Sequence, residues 1–375
     1  MRRAGLRAIV VLTCIACARP VDARTFSDIL GTTIGRTIGE GLAQSVGRAL
    51  PVTSASSGLA YSFDLATGAF ERESSTLGQL FLERAQPLGP GHLSVSLTYQ
   101  YVEIESFEGK DLDTLSDTDP IAAGGSPITF PLYSIDLANH VVTASATYGL
   151  TADIDLNLTV PIVYSEFDFR IEQAGGDRPM SDEQHSTKLG IGDIFLRGKY
   201  RFLELDDAQV AGGLSLRLPT GNEENFQGTG DTELATMVYG STRVFAPAEG
   251  LGITGYVNGG VNFDASEAAR SQALWGVGID VGVYDWFTSA VAVLGRHDFS
   301  RLTPPGFFDV SRASGDRTPL FGIVGDRPDA YDLSIGARVD VWREKVFALA
   351  NVLIPLNDDG VRPGIVPLIG VEATF

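Results

Sequence analysis

The sequence predicts an all-β chain closed into a transmembrane, antiparallel, up-and-down β-barrel of about twelve strands with a partly helical N-terminal extension, and three observations predict it. The first is the ending, where Pro367, Ile369, Val371, Ala373 and Phe375 alternate to a terminal aromatic residue. The second is a series of segments of about ten residues in which apolar and polar side chains alternate, as in strands with one face to lipid and one to a lumen. The third is that the connections alternate long and short, as a barrel requires when one rim faces the periplasm and the other the exterior.

Composition agrees. Of 375 residues, 43 are glycine, 20 phenylalanine, 11 tyrosine and only three methionine, and 20% are charged, a turn-rich balance with little helical bias. No run of eighteen apolar residues occurs, so any membrane crossing falls to strands.

The start reads as an export signal over residues 1–23. Arg2, Arg3 and Arg7 precede an apolar run at 8–18, and Val21-Asp22-Ala23 offers small residues for cleavage. Cys14 and Cys17 both fall inside it, so the exported chain has no cysteine. Cys17 after Ile15-Ala16 resembles a lipoprotein site only weakly, because Cys14 stands where leucine is usual. The signal holds four of the 28 basic and one of the 47 acidic residues, leaving 24 against 46, a balance that argues against nucleic acid as a partner.

The barrel is expected over 92–375. Its first strand sets Leu93, Val95, Leu97, Tyr99 and Tyr101 outward; the second sets Val142, Ala144, Ala146 and Tyr148 against Thr143, Ser145 and Thr147. The third is the cleanest, with Ile154, Leu156, Leu158, Val160, Ile162 and Tyr164 against Asp155, Asn157 and Thr159, a period of two that no amphipathic helix shares. The fourth and fifth carry Arg197, Lys199, Arg201 and Arg217 inward. The sixth (232–245) and ninth (287–295) have a weak phase, while the seventh, eighth, tenth, eleventh and twelfth recover it. Long connections at 106–132, 171–188, 222–231, 265–272, 298–329 and 357–363 alternate with short ones at 149–153, 204–208, 246–250, 284–286 and 343–345. A two-sheet sandwich has no reason to sort its loops this way.

Residues 24–91 stand apart as a periplasmic extension. Leu30, Ile34, Ile38, Leu42, Val46 and Leu50 recur every fourth residue, and Ser27 is placed to cap an amphipathic helix over 27–50. Five glycines within that span weaken it by up to ~1 kcal/mol each. Two readings stand side by side: a segment without fixed order below the barrel, or a helix that docks into or beneath it as a plug.

Four histidines bound the catalytic options: His92, His140, His185 and His297. His92 and Ser94 have a spacing used by outer-membrane lipid hydrolases, but they fall at the periplasmic rim, so catalysis is not expected there. No cofactor and no metal site is expected; the acidic first loop (Glu103, Glu105, Glu108, Asp111, Asp113, Asp117, Asp119) fits a solvated surface beside lipopolysaccharide better than a calcium loop. The inward charges suggest a selectivity field: Arg197, Lys199, Arg201, Arg217 and Arg243 on strands four to six, facing Asp280, Asp332 and Asp340, with Arg338, on strands eight to ten. The competing reading is that these charges pair with one another in a packed interior. The fifth loop, through Phe307, Phe308 and Phe321, is apolar enough to fold inward as a solute contact.

Several stretches carry a family resemblance: FLERAQPLGPG from Phe81, TADIDLNLTVP from Thr151, GIGDIFLRGKYRF from Gly190 and GLSLRLPTGNEE from Gly213. They resemble the outer-membrane β-barrel transporter family of the "MetA-pathway of phenol degradation" type, over roughly residues 60–375. The resemblance implies a barrel in the cell outer membrane that passes small, aromatic or hydrophobic molecules, with no catalytic residue to carry over. The expected partners are outer-membrane lipid and lipopolysaccharide, a small-molecule solute, and the barrel assembly machinery through the strand ending at Phe375. The alternatives are a lipid-modifying hydrolase, and a structural or adhesive barrel with a closed lumen.

Overall fold

The computed structural model describes residues 24–33, 45–64, 69–72, 74, 76–116, 121–123, 126–128, 131–173, 180–245, 250–284, 286–299, 310–311, 315–318 and 329–375. The export signal over 1–23 lies outside these residues, as do Asp117, Asp119, Phe307, Phe308 and Phe321.

Twelve antiparallel strands form a closed ring: β1 Leu93–Phe107, β2 Pro131–Gly149, β3 Ile154–Gln173, β4 Ile194–Glu204, β5 Ala208–Leu218, β6 Glu233–Phe245, β7 Leu251–Asp264, β8 Gln272–Val283, β9 Phe287–Asp298, β10 Ala330–Trp342, β11 Val346–Pro355 and β12 Val366–Thr374. Each pairs with its successor, and β12 returns to β1 in a register running from Leu368 opposite Gln100 to Thr374 opposite Ser94. Phe375 completes the seam: its N–H donates to the Leu93 carbonyl at 2.8 Å, and the Leu93 N–H donates back at 3.0 Å. Closure leaves the ring no free hydrogen-bonding edge, the condition for a sheet to stand in hydrocarbon.

The alternation read from sequence sets the two faces. Leu97, Leu156, Ile162, Leu214, Val257 and Ile369 are exposed on the outside, while Ser94, Thr98, Thr143, Asn157 and Thr159 are buried inside. The two weak strands resolve the same way: β6 turns Glu233, Tyr239 and Ser241 inward and Leu234 and Val238 out, and β9 turns Thr288, Ala290 and Ala292 inward and Val291 out. Tyr148, Tyr200, Tyr284, Trp286, Trp342 and Phe375 ring the exposed periplasmic ends, an interfacial aromatic belt. The architecture is that of an outer-membrane β-barrel.

Two strands overrun the expected lengths. β2 and β3 have 19 and 20 residues. Beyond the barrel β3 pairs with a strand at Met180–Ile191, so the connection expected at 171–188 is mostly a projecting hairpin. Its return strand joins β4 through Gly192 and Asp193, which lie outside both strands.

The N-terminal extension differs most from expectation. Helix α1, Phe26–Thr33, is eight residues long, and a helical turn covers 45–49. Thr25, not Ser27, caps it: the Asp28 N–H donates to Thr25 Oγ1 at 3.1 Å and the Thr25 N–H donates to Asp28 Oδ2 at 3.2 Å, a reciprocal capping box. Ser27 is instead buried. The extension is also not below the barrel. Its described residues contact inward-facing side chains from one end of the lumen to the other, and the chain leaves at the periplasmic rim to begin β1. There the Gly91 N–H donates to the Gly149 carbonyl at 2.8 Å. Gly149 is required at this crossing, because a Cβ on it would strike the backbone of Gly89.

Candidate functional site

The lumen and the segment that fills it form the site. In the periplasmic half, the wall strands line the interior with hydroxyls, amides and charges, which residues 53–61 and 76–88 satisfy with backbone and side-chain groups, and with apolar patches at Phe347, Leu349, Tyr256, Ala211 and Tyr239, which Leu59, Leu77, Leu80, Leu82 and Ala85 cover. The Glu372 carboxylate on β12 is the densest junction. It accepts from Ser57 Oγ and the Gly58 N–H at 2.7 Å, from Ser94 Oγ at 3.0 Å and from Arg338 Nη1 at 3.1 Å. Arg338 Nη2 in turn donates to the Gln79 carbonyl at 3.0 Å. Across the lumen Lys199 Nζ lies 3.3 Å from Asp155 Oδ2 and donates to the carbonyls of Arg84 and Gln86 at 3.2 and 3.0 Å. Asp155 also accepts the Leu88 N–H at 3.0 Å. Leu77 and Ala85 donate backbone N–H groups to Thr288 Oγ1 and Ser241 Oγ at 2.9 and 2.7 Å.

The extracellular half is closed by apolar packing. Phe26, Ile29 and Val46 are fully buried against Val102 and Ile104 of β1, Phe167 and Phe169 of β3, and Phe226 of the β5–β6 connection. Ring centroids of Phe26 lie 5.1 Å from Phe167 and 5.5 Å from Phe226. Below this cluster Arg48 ties the segment to the wall through Asp264 and Glu233, the latter at 3.4 Å. Glycines on β8 make room for the plug: a Cβ at Gly276 or Gly278 would collide with Leu82.

The inward charges named from sequence do not face one another across open water. Arg197 donates to the Thr53 carbonyl at 3.0 Å and Lys199 pairs with Asp155. Arg201 pairs with Asp153 and Glu204 at 3.0 and 3.2 Å on the periplasmic rim. Arg217 pairs with Asp193 at 2.8 Å and donates to the Gly47 carbonyl at 3.0 Å. Asp280, with no exposed surface, accepts from Tyr256 at 2.8 Å and from Thr76 at 3.4 Å. Asp332 pairs with Arg362, and Asp340 accepts the Glu344 N–H at 2.6 Å in the turn after β10. Arg243 is exposed at the periplasmic mouth. The reason is desolvation: a charge enclosed by the plug must be matched, and the nearest wall carboxylate or plug carbonyl matches it. Asp155, Asp193, Glu233, Asp264, Glu372, Arg48 and Arg84 belong to this network; the alternation placed Asp155, Asp264 and Glu372 inward without singling them out, while Glu233 lies on the sixth strand, whose phase it left open.

The hydrolase pair does not assemble. Ser94 Oγ donates to Glu372, and the His92 ring stacks on Tyr61 with centroids 4.3 Å apart. Phe307, Phe308 and Phe321 lie outside the described residues. In the first loop, partial burial and the carboxylates of Asp111 and Glu103 push the Asp113 carboxyl above its usual range. Among the described residues, no three metal-ligating side chains come together.

The space left between plug and wall is small above the mouth. Cavities beside Thr53 and Phe195, beside Ser57 and Arg338, and beside Glu83 and Lys199 measure about 40, 20 and 20 Å³, each little more than a water or two. A larger cavity of about 400 Å³ opens at the periplasmic mouth between Gln86, Ser241 and the β4–β5 turn.

Among solved structures, the chain is similar to the COG4313 outer membrane channel from Pseudomonas putida F1, with 13% identity over 78% of this chain and 98% of that one, at a TM-score of 0.47. It is also similar to a Pseudomonas aeruginosa FadL homologue (12% identity, 78% and 95% covered, TM-score 0.33) and to the translocator domain of the autotransporter NalP from Neisseria meningitidis (11% identity, 76% and 89% covered, TM-score 0.37). No family model matches the chain and no curated protein is similar to it, so the motif resemblance to the phenol-degradation transporter type stands without a match of that kind.

Proposed function

We propose that the protein is an outer-membrane channel for small molecules, held closed by its own N-terminal segment and driven by the solute gradient without a cofactor. The observation that carries this reading is the nature of the seal in the periplasmic half. Residues 53–61 and 76–88 are joined to the wall by many hydrogen bonds and ion pairs interleaved with small apolar contacts of Leu59, Leu77, Leu80, Leu82 and Ala85, and water or a polar solute can replace the polar contacts one by one.

The same lining bears on the solute. The transporter resemblance implies aromatic or hydrophobic molecules, and the only aromatic cluster the described lumen offers them is occupied by Phe26. The remaining path is largely hydroxyl, amide and charge, and its apolar patches at Phe347, Leu349, Tyr256 and Tyr239 are covered by the plug's own Leu59, Leu77, Leu80, Leu82 and Ala85, so an apolar ring gains little there on leaving water. Small polar solutes are therefore the class we favour. Arg197, Lys199, Arg217, Asp280 and Arg338 would select among them once the segment shifts, with Arg201, Arg243, Asp332 and Asp340 nearer the two mouths. In this reading Phe375 presents the closing strand to the assembly machinery, and the acidic loops face lipopolysaccharide.

Single-channel recording in planar bilayers tests it, using the full chain and a variant lacking residues 45–88. The expected result is rare openings for the full chain and sustained conductance for the variant. Silence from both would favour the second reading, a structural barrel with a closed lumen, which the small cavities along the plug also support.

A further inference from the structure

The cavity of about 400 Å³ at the periplasmic mouth lies where a solute would meet wall and plug together. Its volume falls within the range of small-ligand sites. Gln86 of the plug covers one side, the β4–β5 turn with Asp206 and Asp207 forms another, and Ser241, Arg243 and Thr254 complete it. We propose that this vestibule is a binding site for a small polyhydroxylated solute carrying a protonated amine.

Three features select that class. First, the lining residues other than Leu205 and Ala208 are all polar, so the site favours a solute rich in hydrogen-bonding groups over a purely apolar ring or chain. Second, the turn is held in place: the Asp207 carbonyl accepts from the Arg243 N–H at 2.8 Å and from Thr242 Oγ1 at 2.9 Å. Its carboxylates are thus presented on a fixed frame, which lowers the ordering cost of binding. Third, the charges do not cancel. Glu204 is engaged by Arg201 at 3.2 Å, while Asp206, Asp207 and Arg243 form no ion pair among the described residues, leaving two carboxylates to one guanidinium. An ammonium group matches that excess through charge-assisted hydrogen bonds.

The site also touches the seal. Ser241 is 5% exposed, lines the cavity and accepts the Ala85 N–H at 2.7 Å, while the Gln86 carbonyl is held by Lys199. A solute hydroxyl competing for Ser241 would meet one of the bonds that seats the plug.

This inference rests on the channel reading and deepens it, and a binding measurement on the detergent-solubilised full chain separates the two. Calorimetric titration with glucosamine, glucose and glucuronate compares a cation, a neutral sugar and an anion of similar size. Glucosamine is expected to bind about tenfold more tightly than glucose, the effect of a charge-assisted bond, and glucuronate least. D206N/D207N should remove the preference, and Q86A, on the plug side, should weaken binding of both glucosamine and glucose. Equal binding of all three probes, binding of none, or a preference that survives D206N/D207N overturns the site. Conductance without amine preference would sink only this site, whereas binding without conductance would sink only the channel.

Discussion

The two halves of the lumen are filled by the same N-terminal segment and sealed by different balances of polar and apolar contact. On β1 the lining passes from Ser94, Ser96, Thr98 and Gln100 to Val102 and Ile104; on β3 it passes from Asp155, Asn157 and Thr159 to Phe167, Phe169 and Ile171. The plug changes with it, from the hydrogen bonds and ion pairs of 53–61 and 76–88, set among the smaller apolar contacts of Leu59, Leu77, Leu80, Leu82 and Ala85, to the continuous apolar cluster of Phe26, Ile29 and Val46. An apolar seal is non-directional and gains by excluding water, whereas a polar seal is directional and competes with water at every contact. The difference teaches where the barrier to opening sits: many small exchangeable bonds and a few small apolar contacts on the periplasmic side, one large cooperative cluster on the other.

Breaking one buried charge should hurt the polar half most. Lys199→Met strands Asp155, which is 4% exposed, and removes two bonds to plug carbonyls. A cost of roughly 3–5 kcal/mol is expected, seen as a lower temperature for loss of the compact band on semi-native electrophoresis. An unshifted temperature would mean that the pair is solvated. In the apolar half, Phe26→Ala should cost about 3 kcal/mol of plug seating, read as more frequent openings in bilayer recordings without a change in the temperature at which the barrel itself unfolds. If the barrel fails together with the plug, the two are one cooperative unit and the contrast between the halves dissolves.

Glu372→Gln sharpens the comparison at smaller scale. It keeps the shape but removes the charge that four donors share, for an expected loss of about 2 kcal/mol, measurable as faster hydrogen exchange at Gly58. Exchange unchanged there would show that Arg338 and the Ser57 hydroxyl hold the segment without it.

The smallest effect is expected outside the membrane. Asp113 binds its proton more tightly in the folded first loop than in an open chain, because burial and the Asp111 and Glu103 carboxylates oppose its ionisation. The loop is therefore best ordered below the ordinary carboxylate range and loosens as pH rises through the raised value. Amides at 110–116 should be better protected at acid than at neutral pH after correction for intrinsic rates, and Asp113→Asn should flatten the dependence.

Much of the barrel was legible because a strand between lipid and lumen must alternate, and the third strand does so cleanly from Ile154 to Val160, before apolar Pro161 and Val163 take inward positions. The sixth and ninth were not, since small residues such as Ala235, Gly240, Ala290 and Ala292 satisfy either face. The inward phase of Arg197, Lys199, Arg217, Asp280 and Arg338 was readable for the same reason, but their partners were not. Thr53, Gly47 and Gln79 meet them through backbone carbonyls, and a carbonyl carries no sequence signature. The four-residue repeat from Leu30 to Leu50 suggested one long helix; its described parts, Phe26–Thr33 and 45–49, are helical, Thr25 rather than Ser27 caps the start, and residues 34–44 lie outside the described residues.

Periodicity by itself determined the strand count, the lipid-facing side and the closing role of the last aromatic residue, because each follows from a local rule repeated along the chain. The filling of the lumen was decided only in three dimensions. A segment of mixed polarity has no local reason to enter a barrel until the wall presents, at matching heights, the carboxylates, hydroxyls and rings that satisfy it.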